Sequence, residues 1–122
     1  MEFLSQKKGF LGLDALEKKN PKAIVVPFGL EKTVSYGGGT KNGPKEIIKA
    51  SHQVELFDEE LEKEPHKEIG IKTVKPFAIK KEINKALDQL SVINKKIIEK
   101  DMFPLVLGGE HSITPGSIKP FL

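Results

Sequence analysis

The run Ala23-Ile24-Val25-Val26-Pro27-Phe28 constrains this chain more than any other feature, because every position in it is apolar. A strand with no polar face needs cover on both sides, and such strands belong to parallel sheets flanked by helices. Two more strands are expected. Ile69–Val74 alternates apolar and polar residues, and Pro104–Leu107 is a short apolar run ahead of Gly108-Gly109. Between them, Ile79, Ile83, Leu87, Leu90, Ile93 (or Asn94) and Ile97 recur at helical spacing. Each of these, once buried, contributes about 1.5–3 kcal/mol, so the stripe needs a sheet to cover. An earlier helix is expected from a cap at Asn42 and Pro44, with Ile47, Ala50, Val54, Phe57 and Leu61 as its apolar face and Pro65 as its stop. Thr114, as cap, and Pro115 announce a last helix, which Pro120 interrupts.

Strand, helix, strand, helix, strand, helix is the pattern of an α/β protein. It implies a parallel sheet with helices on both faces, a three-layer arrangement joined by right-handed crossovers. With 122 residues, the chain is one domain or part of one. Residues 1–22 are expected to be a loosely committed lead-in ending at Asn20-Pro21, and residues 23–122 the α/β unit, of which only the first three strands are present.

Composition removes several function classes. There is no cysteine, hence no disulfide, thiolate metal site or cysteine nucleophile. All 20 basic residues are lysines, interspersed with 17 acids, and the net charge is only +3. Without guanidinium groups or a basic stripe, no nucleic-acid partner is expected. The longest uncharged apolar stretch, Ala23–Leu30, is too short to span a bilayer, so no membrane role is expected. Met1–Lys8 has its charge after the apolar patch, the wrong order for a signal peptide, and a cytoplasmic location is the expectation.

In open α/β sheets the reactive groups gather at the carboxyl ends of the strands. Two segments fall there, residues 30–42 and 108–112. Gly37-Gly38-Gly39-Thr40-Lys41-Asn42-Gly43 fits no phosphate-binding pattern and reads as a turn that needs positive φ. Gly108-Gly109 presents His111 at a strand end, where a neutral imidazole is either a metal ligand or a plain loop histidine. Glu110 or Ser112 could orient the ring from behind. His52, on the first helix, and His66, in a charged turn expected to be solvated, carry no ligand spacing. Ser112 lacks the strained elbow of a nucleophilic serine.

Leu107-Gly108-Gly109-Glu110-His111-Ser112-Ile113-Thr114 resembles the first metal-ligand motif of the ureohydrolases, the arginase and agmatinase family. Pro27-Phe28-Gly29, Gly38-Gly39-Thr40, Asn42-Gly43-Pro44, Ile47 and Ala50-Ser51 are similar to that family's first strand, active-site loop and first helix. Ser35-Tyr36 and the Ile-Thr-Pro after the histidine bring the likeness nearest to the agmatinase branch. The resemblance implies an arginase-like fold with the first strand between the other two. It also implies a homo-oligomer that hydrolyses a guanidinium substrate, agmatine, to urea and putrescine with two Mn²⁺ ions. Oxygen and imidazole donors suit manganese, and a metal pair activates water. His111 is the one metal ligand carried over, with Glu110, where many members have Asp, in a supporting position. The family's later Asp-Ala-His-x-Asp and Ser-x-Asp-x-Asp motifs do not occur; the aspartates are Asp14, Asp58, Asp88 and Asp101. No catalytic residue is therefore assigned within this chain, which alone is expected to be inactive and self-associating. Its stop inside a freshly begun helix is expected of an N-terminal segment of a longer hydrolase. The alternatives are an arginase or other guanidine hydrolase, and a non-catalytic α/β binding module that keeps the family's shape.

Overall fold

In the computed structural model, which describes residues 1–14, 20–32 and 37–122, the apolar run forms the central strand β1 (Ala23–Phe28). It pairs in parallel with β2 (Ile71–Thr73) on one side and β3 (Phe103–Gly108) on the other, in the order β2-β1-β3. The central place explains the composition: Ile24, Val25, Val26 and Phe28 are all fully buried.

Alternation along β1 sends side chains to two different layers. Ile24, Val26 and Phe28 join one core with Ala86, Leu90 and Ile97 of the long helix α3 (Ile83–Glu99). Helix α4 (Thr114–Ile118) packs beside α3, with Gly116 against the backbone of Leu87, where a Cβ would lie 2.7 Å from the Leu87 carbonyl oxygen. Asn94 ties the two helices together by donating its side-chain amide to the Ser117 carbonyl at 2.9 Å. On the other face, Val25 has Thr73 as its register partner on β2, whose hydroxyl accepts the Phe10 amide at 2.8 Å. Helix α1 (Gly43–Ser51) covers this side, and its Ser51 hydroxyl accepts the Leu11 amide at 2.8 Å. Helices thus lie on both faces of a parallel sheet.

Four expectations need correction. Residues 1–14 of the lead-in are committed: Phe3 bridges Val74, Leu4 donates to the Thr73 carbonyl at 2.9 Å, and Leu13 is buried. Its early residues close the free edge of β2. The first helix ends at Ser51 rather than at Pro65, and its buried residue is Ile48; Ile47, Val54, Phe57 and Leu61 are exposed. Pro65 does not stop a helix but begins one, α2 (Pro65–Ile69), where its missing amide costs nothing. Neither expected cap forms. A 3-10 turn (Thr40–Asn42) runs into α1 and another (His111–Ile113) into α4, so Asn42 and Thr114 already have helical backbones and neither helix gains a side-chain cap. The last helix does change at Pro120, within a 3-10 turn (Lys119–Phe121). Ile79 precedes α3 but still packs on the core.

Candidate functional site

The carboxyl ends of β1 and β3 lie side by side, since Phe28 pairs with Gly108. The two segments that follow them are held together by backbone contacts that exclude side chains. At Gly29, a Cβ would collide with the carbonyl of Lys41. At Gly109 it would lie 2.5 Å from the Leu30 carbonyl oxygen and 3.0 Å from that of Thr40. At Gly43 it would meet the Gly108 carbonyl oxygen at 3.3 Å. The Glu110 amide donates to the Leu30 carbonyl at 3.2 Å, which closes the junction.

Gly108 and Gly109 are therefore glycines for a reason other than backbone freedom. Neither has positive φ. Gly108 leaves room for the Ile113 side chain, and Gly109 for the neighbouring loop. Gly37 and Gly39, by contrast, have φ of +41° and +121° with open space around them, as a turn demands.

Glu31 is the residue that sequence reasoning missed. Its Oε1 accepts the Gly39 amide at 2.6 Å and the Thr40 hydroxyl at 3.0 Å, which folds the glycine loop back toward the strand end. The Gly39 amide is the main cause holding its carboxyl below the ordinary carboxylate value. No motif announces such a residue, because its partner is a backbone amide eight positions away. Ser35 and Tyr36 lie outside the described residues.

His111 opens the 3-10 turn after β3 and is exposed at this junction. Behind it, the Ser112 hydroxyl donates to Glu110 Oε1 at 2.7 Å and braces the turn. The other two histidines stand apart. His52 Nε2 lies 2.8 Å from the Gly9 carbonyl and pins the lead-in to α1. His66 was expected in solvent, but it sits within α2, half-buried, and its Nδ1 is buried without a hydrogen-bond partner. Among the described residues, no three His, Asp or Glu side chains gather where they could hold an ion. An exposed imidazole at the strand end suits a metal, but among the described residues it is a single donor. Among the described residues no helix is long and apolar enough to cross a membrane.

Comparison with known proteins agrees with this geometry. The family model described as "Arginase family" matches residues 21–121. The chain is 35% identical over 127 residues to an N(1)-aminopropylagmatine ureohydrolase of Synechocystis sp., covering 97% of this chain and 40% of that protein. It is 31% identical over 97 residues to an agmatinase of Bacillus cereus, covering 76% of this chain and 32% of the relative. The crystal structure of an agmatine ureohydrolase of Thermoplasma volcanium superposes with a TM-score of 0.76 and 24% identity, over 96% of this chain and 39% of that one. The chain thus spans about two-fifths or less of the length of the relatives it matches.

Proposed function

Because the chain belongs to the arginase family, we propose that it is the N-terminal part of a cytoplasmic, manganese-dependent ureohydrolase that hydrolyses agmatine to urea and putrescine. The observation that carries this reading is the steric lock between the two strand-end segments: Gly29 against Lys41 and Gly109 against Leu30 and Thr40 keep the His111 turn beside the glycine loop. The names of the relatives, an agmatinase and an N(1)-aminopropylagmatine ureohydrolase, support a guanidinium substrate of the agmatine type.

In this reading His111 would hold one manganese ion through a ring nitrogen. Glu110, braced by the Ser112 hydroxyl, steadies the turn behind it. A bound metal pair supplies Lewis-acid polarisation and water activation, the chemistry that a resonance-stabilised guanidinium carbon requires. The glycine loop, folded back by Glu31, forms a wall of the same end of the sheet. The further ligands come from outside these 122 residues.

The test uses the complete protein. It is expected to release urea from agmatine in preference to arginine or N(1)-aminopropylagmatine. His111→Ala is expected to cost one of two bound manganese ions and about 100-fold or more in turnover, beyond the 10–100-fold typical of supporting residues. Metal analysis that still finds two ions per subunit in His111→Ala would reject the ligand assignment. Turnover of no guanidine by the intact protein would reject the function. The 122-residue chain by itself is expected to release no urea.

A further inference from the structure

Of the residues that α3 buries, Ala86, Leu90, Asn94 and Ile97, one is polar. Asn94 is wholly enclosed, so further chain packed on the outside of this unit leaves its surroundings untouched. Its Nδ2 donates to the Ser117 carbonyl at 2.9 Å and lies 3.3 Å from the Ser117 hydroxyl, while its Oδ1 is buried without a hydrogen-bond partner. A buried acceptor with no donor costs stability, and an apolar side chain of similar shape carries no such penalty. Packing does not explain the residue. What its donor does explains it.

Ser117 lies near the carboxyl end of α4, where helical carbonyls run short of amides. The chain continues into the 3-10 turn Lys119–Phe121, and Pro120, three residues past Ser117, has no amide to give. Asn94 supplies a donor from α3 instead. The other end of α4 is tied to His111: the Thr114 amide donates to the His111 carbonyl, and Ile113 is buried in the same core as Leu90 and Ile97. Between these ends, Gly116 lies against the Leu87 backbone. Apolar contact is non-directional and lets a short helix slide or turn on its neighbour, whereas a bond to one carbonyl fixes a single seat.

We propose that Asn94 is a positioning residue for His111: by seating α4 on α3, it sets the turn from which the imidazole projects. The His111 side chain is exposed, so the backbone behind it decides where its ring stands. On the strand side that backbone is held by the Glu110 amide on the Leu30 carbonyl. On the helix side it is held through α4, by Asn94. A buried polar group kept at a cost in stability is here a device for one arrangement rather than for strength. The inference rests on the reading of His111 as a metal ligand.

The test uses the complete protein, with Asn94→Leu and Asn94→Ala. Val25→Ala, buried on the opposite face of the sheet, is the control for stability alone. Three quantities are read: manganese affinity by calorimetric titration of the metal-free protein, amide exchange of residues 111–118 in that metal-free protein, and melting temperature. Both Asn94 variants are expected to weaken manganese binding about tenfold or more. Exchange of the 111–118 amides is expected to speed up by about tenfold or more. Asn94→Leu is nevertheless expected to melt no lower than the unmodified protein, because the unpaired acceptor is gone. Val25→Ala is expected to melt lower and to keep its manganese affinity within about twofold. Unchanged affinity and exchange in the Asn94 variants would overturn the proposal. So would a loss of affinity that Val25→Ala matches, which marks a structural role only. If Asn94→Leu does not fold, Asn94→Ala decides by the same comparison with Val25→Ala. Should His111→Ala keep both ions, the ligand reading fails and takes this inference with it. Should His111→Ala lose an ion while the Asn94 variants bind manganese normally, only this inference fails.

Discussion

Two stretches of this chain carry an apolar residue every third or fourth position, and only one of them becomes a long helix. In α3 the stripe is buried: Ala86, Leu90 and Ile97 lie wholly inside, opposite Ile24, Val26 and Phe28 of β1. In residues 43–64 the helix stops at Ser51, and Val54, Phe57 and Leu61 stand in solvent. The spacing is shared, but local chemistry differs. Ser51 donates its hydroxyl back to the Ile48 carbonyl at 2.5 Å, and Asp58 takes two backbone amides into its own carboxylate. Side chains that bond nearby backbone offer it an alternative to the helix. The interior of α3 has one serine, Ser91, and one aspartate, Asp88, but neither diverts the backbone. Periodicity therefore reports a helix only where no nearby side chain draws the backbone into another bonding pattern.

That contrast can be broken by experiment. Leu90→Ala is expected to cost about 2–5 kcal/mol, the range for emptying a core leucine site. Leu61→Ala, in the exposed stretch, is expected to stay within about 0.5 kcal/mol. Denaturant titration of both variants checks the pair; a Leu61→Ala cost as large as that of Leu90→Ala would mean the second stripe is buried after all.

The glycines sharpen the comparison at the site. Gly109→Ala is expected to destabilise by about 1–3 kcal/mol, because a methyl group meets backbone carbonyls that cannot rotate away. Gly108→Ala meets the end of the Ile113 side chain, which can adopt another rotamer, so its cost is expected to be smaller. Thermal melts of the two variants order them, and the reverse order would count against the steric lock.

The smallest effect is expected at Glu31. Its folded-state carboxyl titrates below the ordinary value because the Gly39 amide, above all, stabilises the charged form. A lowered folded value means that its contribution is present above the unfolded-state pKa and is lost as pH falls through the folded one. Glu31→Gln is therefore expected to show a shallower loss of stability in the acid range than the unmodified protein. Identical acid titrations of the two would remove Glu31 from the loop's support.

Much of the fold was legible in advance because burial of a continuous apolar run leaves few solutions. Ala23–Phe28 had to be a parallel strand covered on both faces, with the Ile and Leu stripe of α3 as part of the cover; its place between the other two strands was implied only by the family resemblance. The site was legible in part. The segments that meet at the strand ends follow from the α/β rule, and His111 stands at one of those ends, where Gly108-Gly109 placed it; its part as a ligand rests on the family resemblance. Glu31 was not legible, nor was the commitment of residues 2–13. Both depend on partners distant in sequence, such as the Gly39 amide for Glu31 and the Thr73 hydroxyl for the lead-in.

By itself the sequence determined the parallel α/β architecture, the arginase-family likeness and the absence of cysteine and arginine chemistry, since these depend on composition, local patterning and contiguous motifs. Tertiary structure alone decided why Gly29 and Gly109 cannot carry side chains, where α1 stops and which of its isoleucines turns inward. The reason is physical: close backbone approach depends on distances across space and leaves no period in the chain.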